Sequence, residues 1–294
     1  MANKNSGKPL LGRAALLLMS IIWGSSFFIL KNTLESVSTL YVLAIRFSGA
    51  AILLCLFGVR ELKKLDRAYL KGGAMMGVCL FAAYVFQTYG LTLTTPGKNA
   101  FLTATYCVIA PLLGWALLRR KPGSYNILAA IVCIVGIGFV SLNNDFSINL
   151  GDALTLCCGL FYALHILVTD KYAEGRSALM LTMLQFAVAG ILAWIGTLLT
   201  AEPFPKQIPA DAALSIVYLC VMCSALCNFL QTFGQKYTPA AGTAILMTLE
   251  SVFGALFSAL FYHERFSPKL LIGFALIFSA VLISETKLSF LKKR

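Results

Sequence analysis

The chain has 294 residues, of which 59% are hydrophobic and 12% are charged, and its mean hydropathy is +0.82. This composition excludes an ordinary soluble domain, because water could not solvate so apolar a surface. The net charge of +12 is compatible with nucleic-acid binding, but the placement of the basic residues between apolar runs argues against that function. We therefore predict an integral membrane protein.

Ten apolar runs are long enough to cross a hydrocarbon core of about 30 Å, which takes about 20 residues of helix. They lack the two-residue alternation of a membrane β-strand, so we predict an all-α integral membrane protein with ten transmembrane helices. The predicted spans are 11–30, 38–58, 70–91, 97–118, 124–142, 151–170, 178–199, 211–234, 240–262 and 268–286.

All nine cysteines lie within predicted spans, so a disulfide framework is not expected. Cys220, Cys223 and Cys227 share one helix face, but no further ligand is obvious beside them. We assign these three small residues to close helix packing rather than to a metal site. We predict neither a metal nor a cofactor.

The basic residues predict the orientation of the chain. With ten spans and both ends on one side, that side holds 18 of the 24 Lys and Arg residues and the other side holds five, with Arg46 left inside a span. This asymmetry follows the positive-inside rule and predicts that both termini are cytoplasmic. We expect a multi-pass protein of the plasma membrane, of the bacterial inner-membrane type, whose partners are the bilayer and a small molecule. We expect no nucleic-acid partner, and a monomer or a weak homodimer.

The two halves of the sequence repeat. A shift of 139 residues aligns the first two spans with the sixth and seventh, and a shift of 144 aligns the third to fifth with the eighth to tenth. Because five is odd, the second copy would enter the membrane from the opposite side, as in the inverted repeats of secondary transporters. We divide the chain into a first five-helix repeat at 1–142, an external connection at 143–150 and a second repeat at 151–294. Aligned pairs include Glu35 with Glu174, Ser38 with Ser177, Gln87 with Gln231, and Gly90 with Gly234.

Three motifs carry a resemblance to a known family. They are WGSSF at Trp23–Phe27, the adjacent Arg46 and Phe47, and LESVFGALFSALFYHERFSP at Leu249–Pro268. Together they resemble the drug/metabolite transporter superfamily, and specifically its EamA-like ten-helix members, over residues 11–142 and 151–286.

The resemblance implies transport of a small metabolite, often export. It also implies a central cavity lined by the first, third, fourth, sixth, eighth and ninth spans. One position departs from the family, because Arg120 stands where an acidic residue that matches Glu264 is common. We therefore carry over no acidic role at Arg120, and we assign Glu264 to a helix-end cap or an ion pair, with gating as the alternative.

Glu250 is the most informative single residue. A carboxylate at a helix centre costs roughly 3 kcal/mol on insertion scales and normally faces the protein interior or a wet cavity. Glu250 lies about ten residues into the ninth span, near the midplane, and its repeat partner is Tyr106. We predict that it binds a cationic or amine group or takes up a proton during transport. The structural alternative is a hydrogen bond to a neighbouring helix.

Two further residues are candidates for coupling, together with Glu250. Arg46 could hold a substrate carboxylate bidentately, or it could pair inside the protein, and Gln185 replaces it in the second repeat. His165 could titrate near neutral pH, or it could link two helices by a hydrogen bond.

The predicted substrate-binding residues are the polar and aromatic side chains expected near the midplane. They are Trp23, Tyr84, Gln87, Asn99, Tyr106, Tyr162, His165, Asn228, Gln231 and Glu250. Interhelical hydrogen bonds are the alternative for the amides, and ordinary packing is the alternative for the aromatic rings.

These features favour a secondary transporter of an amino acid or a related polar or amphipathic compound, acting as an exporter by alternating access. A multidrug or cation exporter of the same fold is the alternative within this class. A membrane-embedded enzyme is a third hypothesis, against which the sequence shows no Ser–His–acid set, no paired carboxylates and no HExxH motif. We therefore predict no catalytic residues and no enzymatic activity.

Overall fold

The chain forms helices joined by short connections. The computed structural model describes residues 8–119, 121–142, 147–173, 175–202, 205, 207–237 and 240–286. Within these ranges there is no β-strand, and the only bridge pairs Leu142 with Ile148. The predicted all-α architecture is therefore confirmed for the described residues. Arg120 and residues 143–146 of the predicted connection lie outside them.

Twelve α-helices are described, numbered here in chain order. They are α1 (Lys8–Thr33), α2 (Thr39–Gly58), α3 (Arg67–Leu93), α4 (Pro96–Thr103), α5 (Tyr106–Leu118), α6 (Ser124–Ser141), α7 (Leu150–Ala173), α8 (Ala178–Thr200), α9 (Ala210–Tyr218), α10 (Cys227–Tyr237), α11 (Ala240–Phe261) and α12 (Pro268–Thr286). A 3₁₀ segment at Val59–Lys64 follows α2, and a π-helical segment at Leu219–Leu226 joins α9 to α10.

Eight stretches of the described chain are long and apolar enough to cross a membrane. Three of them combine separate elements: Thr39–Lys64 contains α2 and the 3₁₀ segment, Pro96–Leu117 runs from α4 into α5, and Ala210–Gln231 runs from α9 into α10. Two shorter apolar helices, Leu246–Phe261 and Pro268–Ser284, follow. These ten segments correspond in order to the ten predicted spans, although the number of spans that cross a bilayer stays a prediction.

Large apolar side chains cover the outside of the helical assembly. Leu56, Phe57, Leu198 and Leu199 are between 70% and 81% exposed. Exposed apolar surface on this scale would be unfavourable in water, but it suits contact with hydrocarbon. Many polar residues, in contrast, are buried between the helices.

The predicted span at 97–118 is not one continuous helix. The α4 helix ends at Thr103 and α5 begins at Tyr106. Farther along α5, Pro111 has no N–H to donate to the carbonyl four residues earlier, that of Cys107. The Ser284 hydroxyl lies 3.3 Å from that carbonyl oxygen and donates to it. A neighbouring helix thus satisfies the backbone group that proline leaves free.

The link between α3 and α4 is held first by Lys31 of α1. Its ammonium group donates to the carbonyl oxygens of Leu91, Thr92 and Thr94, at 2.6, 3.0 and 3.0 Å. These carbonyls lie at the C-terminal end of α3, where helix carbonyls lack partners and the helix dipole favours a cation. Lys31 therefore ties α1 to the end of α3.

Glu264, in the connection before α12, holds the start of α4. Its carboxylate accepts a hydrogen bond of 2.9 Å from the backbone N–H of Gly97 and further bonds from the hydroxyls of Thr95 and Ser258. A carboxylate at a helix N-terminus satisfies free N–H groups and interacts favourably with the helix dipole. The predicted capping role of Glu264 is confirmed, with the qualification that it caps α4 rather than its own helix.

Asp152, at the start of α7, is the third charged residue at this link. Its side chain is fully buried; it accepts a 2.5 Å hydrogen bond from the Thr94 hydroxyl and lies 3.1 Å from the Lys98 ammonium. Asp152 thereby joins α7 to the α3–α4 link. Together, three charged side chains from three separate elements hold a short linker and fix the position of α4, which carries part of the cavity described below.

Replacing Asp152 with Asn should destabilise the protein by about 1–3 kcal/mol, because Lys98 loses its carboxylate partner in a buried setting. The matched control is Glu61→Gln, which removes the carboxylate of the Glu61–Lys64 pair at the same 3.1 Å separation but on an exposed segment. Thermal unfolding in detergent should show a midpoint lower by several degrees for the first variant and little change for the second. Equal midpoints for the two variants would contradict the structural role of Asp152.

Candidate functional site

One cavity lies at the centre of the helical assembly. All ten predicted binding residues and the coupling candidate Arg46 line it. They come from eight helices, which are α1, α2, α3, α4, α5, α7, α10 and α11. The volume open to water-sized molecules is about 120 Å³. The structure thus brings together every predicted binding and coupling residue, and their role in binding stays a prediction.

Arg46 is 2% exposed, so its guanidinium is a buried positive charge. Its Nε donates to the Ser224 hydroxyl at 2.7 Å, and its Nη2 donates to the Tyr84 hydroxyl at 3.3 Å. The Tyr84 ring also lies under the guanidinium, 4.7 Å from its carbon to the ring centroid. Both partners are neutral, and Arg46 forms no ion pair with any described residue. The remaining N–H groups are available to an anionic group in the cavity.

The π-helical segment Leu219–Leu226 provides several anchors for this site. A π-helix shifts the backbone hydrogen bonds by one residue, and such segments occur frequently at functional sites. The Cys223 carbonyl accepts a 2.6 Å bond from the Trp23 indole, and the Ser224 carbonyl accepts a 2.6 Å bond from the Asn228 amide. The Ser224 hydroxyl, as described, accepts from Arg46. Three cavity side chains are therefore positioned by two consecutive residues of this segment.

Glu250 faces the cavity from α11, beside α4. The two helices pack closely, since a Cβ atom added to Gly254 would lie 2.6 Å from the Ala100 Cβ. A smaller recess between them is also lined by Glu250, Ala100 and Thr103. No side-chain or backbone donor of the described residues hydrogen-bonds the Glu250 carboxylate. The interhelical bond that was the structural alternative for Glu250 is thus not found in this part of the chain.

Two amides of the cavity are held by bonds between helices. Gln87 donates to the Thr103 hydroxyl at 3.1 Å. Asn99 donates to the Gln87 carbonyl at 3.2 Å and to the Thr155 hydroxyl at 2.8 Å. The predicted alternative of interhelical hydrogen bonding is confirmed for both amides, but it does not use all their polar atoms, because Asn99 Oδ1 has no partner among the described residues.

The tyrosines of the cavity also pack against one another. Tyr84 and Tyr162 meet edge to face with ring centroids 5.6 Å apart, and Tyr106 lies 5.9 Å from Tyr162. Such contacts favour a fixed arrangement of rings. These rings form one continuous aromatic wall between the two halves of the chain.

His165 of α7 makes a hydrogen bond to Gln185 of α8, with 2.8 Å between Nε2 and Oε1. This is the helix link predicted as its structural alternative. Gln185 is also the residue that aligns with Arg46 in the repeat, so the two halves differ in charge at this position. His165 still lines the cavity, and its coupling role stays a prediction.

Eight cavity residues were not predicted. They are Ser26, Phe27, Leu30, Leu80, Thr103, Ile166, Phe186 and Met247. Thr103 follows Asn99 by four residues and so shares its helix face, which is a signal that the spacing contained. Phe186 aligns with Phe47 of the first repeat, which belongs to one of the three motifs, and this alignment is a second signal. The aliphatic residues carry no such signal, because the same residue types face lipid elsewhere.

Apolar helices that surround a cavity with charged, polar and aromatic side chains are typical of a membrane transport protein, and sequence comparison identifies the family. The sequence model of the EamA-like transporter family matches residues 10–142 and, again, residues 149–286. The chain belongs to this family and is a multi-pass membrane transporter.

Individual relatives are similar to this chain over most of its length. An uncharacterized transporter of Archaeoglobus fulgidus is 32% identical over 276 residues, which is 94% of this chain and 86% of that protein. Protein PecM of Dickeya dadantii is 24% identical over 90% of this chain and 89% of its own length. A solved structure, described as the crystal structure of a protein, covers 99% of this chain and 100% of its own with a TM-score of 0.65 at 15% identity. That structure shares the fold.

Replacing either His165 or Gln185 with leucine should destabilise the protein by about 0.5–2 kcal/mol, because the partner loses its hydrogen bond. The double variant should lose less unfolding free energy than the sum of the two single losses, since two matched polar groups are then replaced together. Thermal unfolding in detergent of the four proteins measures this coupling. Strictly additive losses would contradict a direct bond.

Proposed function

We propose that this chain is a secondary transporter that exports a small zwitterionic metabolite, such as an amino acid or a related amphipathic compound, across the plasma membrane by alternating access. The family and its relatives support transport, and the residues of the cavity support the class of substrate. The proposal places both termini in the cytoplasm, which is supported by the concentration of basic residues on one predicted side.

The observation that carries the substrate class is the pair of opposite charges in one cavity. Arg46 and Glu250 both line it, and they form no ion pair with each other within 4 Å. A buried charge without a direct partner is unfavourable, so each side chain favours a ligand group of opposite sign. A zwitterion supplies both groups, with its carboxylate at Arg46 and its ammonium group at Glu250.

A multidrug or cation exporter is the second candidate, and the aromatic lining favours it. Six aromatic rings surround the cavity together with one carboxylate, which suits a large organic cation. The six are Trp23, Phe27, Tyr84, Tyr106, Tyr162 and Phe186. Arg46 argues against this candidate, because a buried guanidinium repels a cation that carries no anionic group.

We also infer that the chain consists of two inverted five-helix repeats. One family model matches both halves. Close helix contacts follow the same pattern. A Cβ atom on Gly90 of α3 would lie 2.9 Å from the Gly151 carbonyl of α7, and one on Gly234 of α10 would lie 2.9 Å from the Gly12 carbonyl of α1. The shift of 144 residues takes Gly90 to Gly234, and the shift of 139 takes Gly12 to Gly151, so each contact corresponds to the other. This correspondence supports a two-fold relation between the repeats.

Thiol labelling tests the inverted arrangement. Lys63→Cys and Gln207→Cys place thiols in connections that are equivalent in the two repeats, so the proposal puts them on opposite sides of the membrane. An impermeant maleimide added to intact cells should label Gln207→Cys above the background of the native cysteines. Lys63→Cys should react only after permeabilisation. Labelling of both from the same side would contradict inversion.

Flux into and out of proteoliposomes tests the proposed substrate class. The panel contains amino acids, the corresponding amines without the carboxylate, the corresponding acids without the amine, and a quaternary ammonium dye. The wild-type protein should move amino acids in preference to the others. Arg46→Gln should raise KM for amino acids by about ten- to a hundredfold and leave the amines little changed, because it removes charge-assisted hydrogen bonds of about 1.5–3 kcal/mol.

The complementary variant is Glu250→Gln, which should raise KM for amino acids and amines and leave KM for the acids little changed. Transport of the dye but of no amino acid would support the cation exporter instead. Transport of amino acids by both variants with the KM of the wild-type protein would overturn the zwitterion proposal. Net loss of substrate from preloaded cells that express the protein tests the direction of transport.

The same vesicles with an imposed pH gradient test coupling. Glu250 is the proposed coupling residue, so Glu250→Gln should make any remaining flux independent of the gradient. A flux that still responds to the gradient would remove Glu250 from this role.

A further inference from the structure

The α3–α4 link lies directly beyond one end of the central cavity. Leu30 of α1 and Gln87 of α3 both line the cavity. Lys31 follows Leu30 directly, and it donates at 2.6 Å to the Leu91 carbonyl, which lies one helical turn beyond Gln87. In the predicted topology this end of the cavity faces the outside of the cell.

Two charged side chains tie other parts of the fold to this link. Lys31 reaches it from α1, and its ammonium group binds three carbonyls at the C-terminal end of α3. Glu264 reaches it from the connection between α11 and α12, and its carboxylate accepts a 2.9 Å bond from the Gly97 N–H at the start of α4. Gly97 lies two residues before Asn99, which lines the cavity. The bonds of Lys31 and Glu264 therefore cross the predicted external end of the cavity.

The repeat gives the counterparts of these two residues at the other end of the cavity. The shift of 139 residues takes Lys31 to Asp170, and the shift of 144 takes Arg120 to Glu264. In an inverted arrangement, Asp170 and Arg120 flank the link between α10 and α11 at the predicted cytoplasmic end. The charge is reversed at both positions. For Arg120 this is a comparison of sequence positions, since that residue lies outside the described ranges.

Burial also differs between the two ends. Lys31 is partly buried, and Asp152, the third charged residue of the external link, is fully buried. Their counterparts under the shift of 139 residues are Asp170 and Arg13, which are both exposed and again carry the opposite charges. Positions that are enclosed at one end of the cavity are thus uncovered at the other.

The reversed charges cannot make the bonds that their counterparts make. A carboxylate at Asp170 has no N–H to donate to the carbonyls at the C-terminal end of α10, and the helix dipole disfavours a negative charge there. A guanidinium at Arg120 has no acceptor for the free N–H groups at the start of α11, where the dipole disfavours a positive charge. The hydroxyl of Thr95, which donates to Glu264, is also lost, because its counterpart is Pro239.

We propose that the bonds of Lys31 and Glu264 form a latch that keeps the external end of the cavity closed, and that the reversed charges leave the cytoplasmic end without a matching latch. The protein without substrate therefore rests with its cavity accessible from the cytoplasm. This inference rests on the proposed inverted repeats and alternating access, and it adds the resting state and the residues that set it. An exporter in this state collects its substrate on the cytoplasmic side.

The first experiment measures from which side the cavity is accessible. Ser26→Cys places a thiol in the cavity lining on α1. An impermeant methanethiosulfonate reagent is added, without substrate, to right-side-out and to inside-out membrane vesicles, and the reaction of the native cysteines is subtracted. The thiol should react at least about tenfold faster in inside-out vesicles. Equal rates from both sides, a faster rate from outside, or no reaction from either side would overturn the proposal.

This measurement needs no transported solute, so it is separate from the test of the substrate class. A cavity that is labelled from the cytoplasmic side in a protein that moves no amino acid would contradict the proposed substrate and support the resting state.

The second experiment adds Lys31→Met to the labelled protein, which keeps a side chain of similar length and removes the ammonium group. The external labelling rate should rise roughly tenfold, because the closed end loses its charge-assisted hydrogen bonds. The matched control is Lys269→Met, since Lys269 also donates to a backbone carbonyl, that of Leu142 at 2.5 Å, on the same predicted side and away from the central cavity. The control should keep the low external rate. An unchanged rate in Lys31→Met, or an equal rise in the control, would overturn the latch.

The third experiment gives the cytoplasmic end the charges of the latch. The double variant Asp170→Lys with Arg120→Glu should lower the cytoplasmic labelling rate and raise the external one, because both ends can then be held closed. A cytoplasmic rate that stays at the level of the parent would contradict the role of the reversed charges. The double variant leaves Lys31 and Glu264 intact, so it decides the question even if size-exclusion chromatography shows that Lys31→Met does not fold.

Discussion

The guanidinium of Arg46 is the feature on which the organisation of the cavity depends. A positive charge enclosed among apolar helices is costly unless polar groups surround it. Here the groups are neutral: the hydroxyl of Ser224, and the hydroxyl and ring of Tyr84. Because the π-helical segment holds Ser224, the local departure from α-helical geometry and the position of the buried charge are linked. The charge is oriented but not neutralised, which leaves it available to a ligand.

Satisfied and unsatisfied polar groups are separated in this fold. At the α3–α4 link, Lys31 and Glu264 are engaged with backbone and hydroxyl groups, and Asp152 is engaged with the Thr94 hydroxyl and the Lys98 ammonium; the three side chains hold the helices in place. Near the centre, the carboxylate of Glu250 and the oxygen of Asn99 accept no hydrogen bond from any described residue. Well-paired charges at the helix ends thus support a frame, and under-paired groups at the centre mark the surface at which we propose that a solute binds.

Much of the cavity could be predicted from the sequence because polar residues stand out in an apolar chain. In a lipid-facing position Gln87 or Glu250 would be strongly unfavourable, so each had to point inward, and the repeat placed them at similar depth. Leu30 and Leu80 line the same cavity but could not be distinguished from residues that face lipid. Periodicity does not help here, since both faces of such a helix are apolar.

The sequence by itself determined the helical class, the apolar segments, the internal repeat and the set of polar residues that must avoid lipid, because the hydrophobic effect and the cost of burying polar groups act on each segment independently. Only the tertiary structure decided which polar atoms are paired. The bond from Arg46 to Ser224 joins residues 178 positions apart, and the two bonds from the Asn99 amide nitrogen fix an orientation in which its oxygen has no partner among the described residues. These pairings depend on how close the helices approach one another, which glycines such as Gly254 permit and which no single segment specifies.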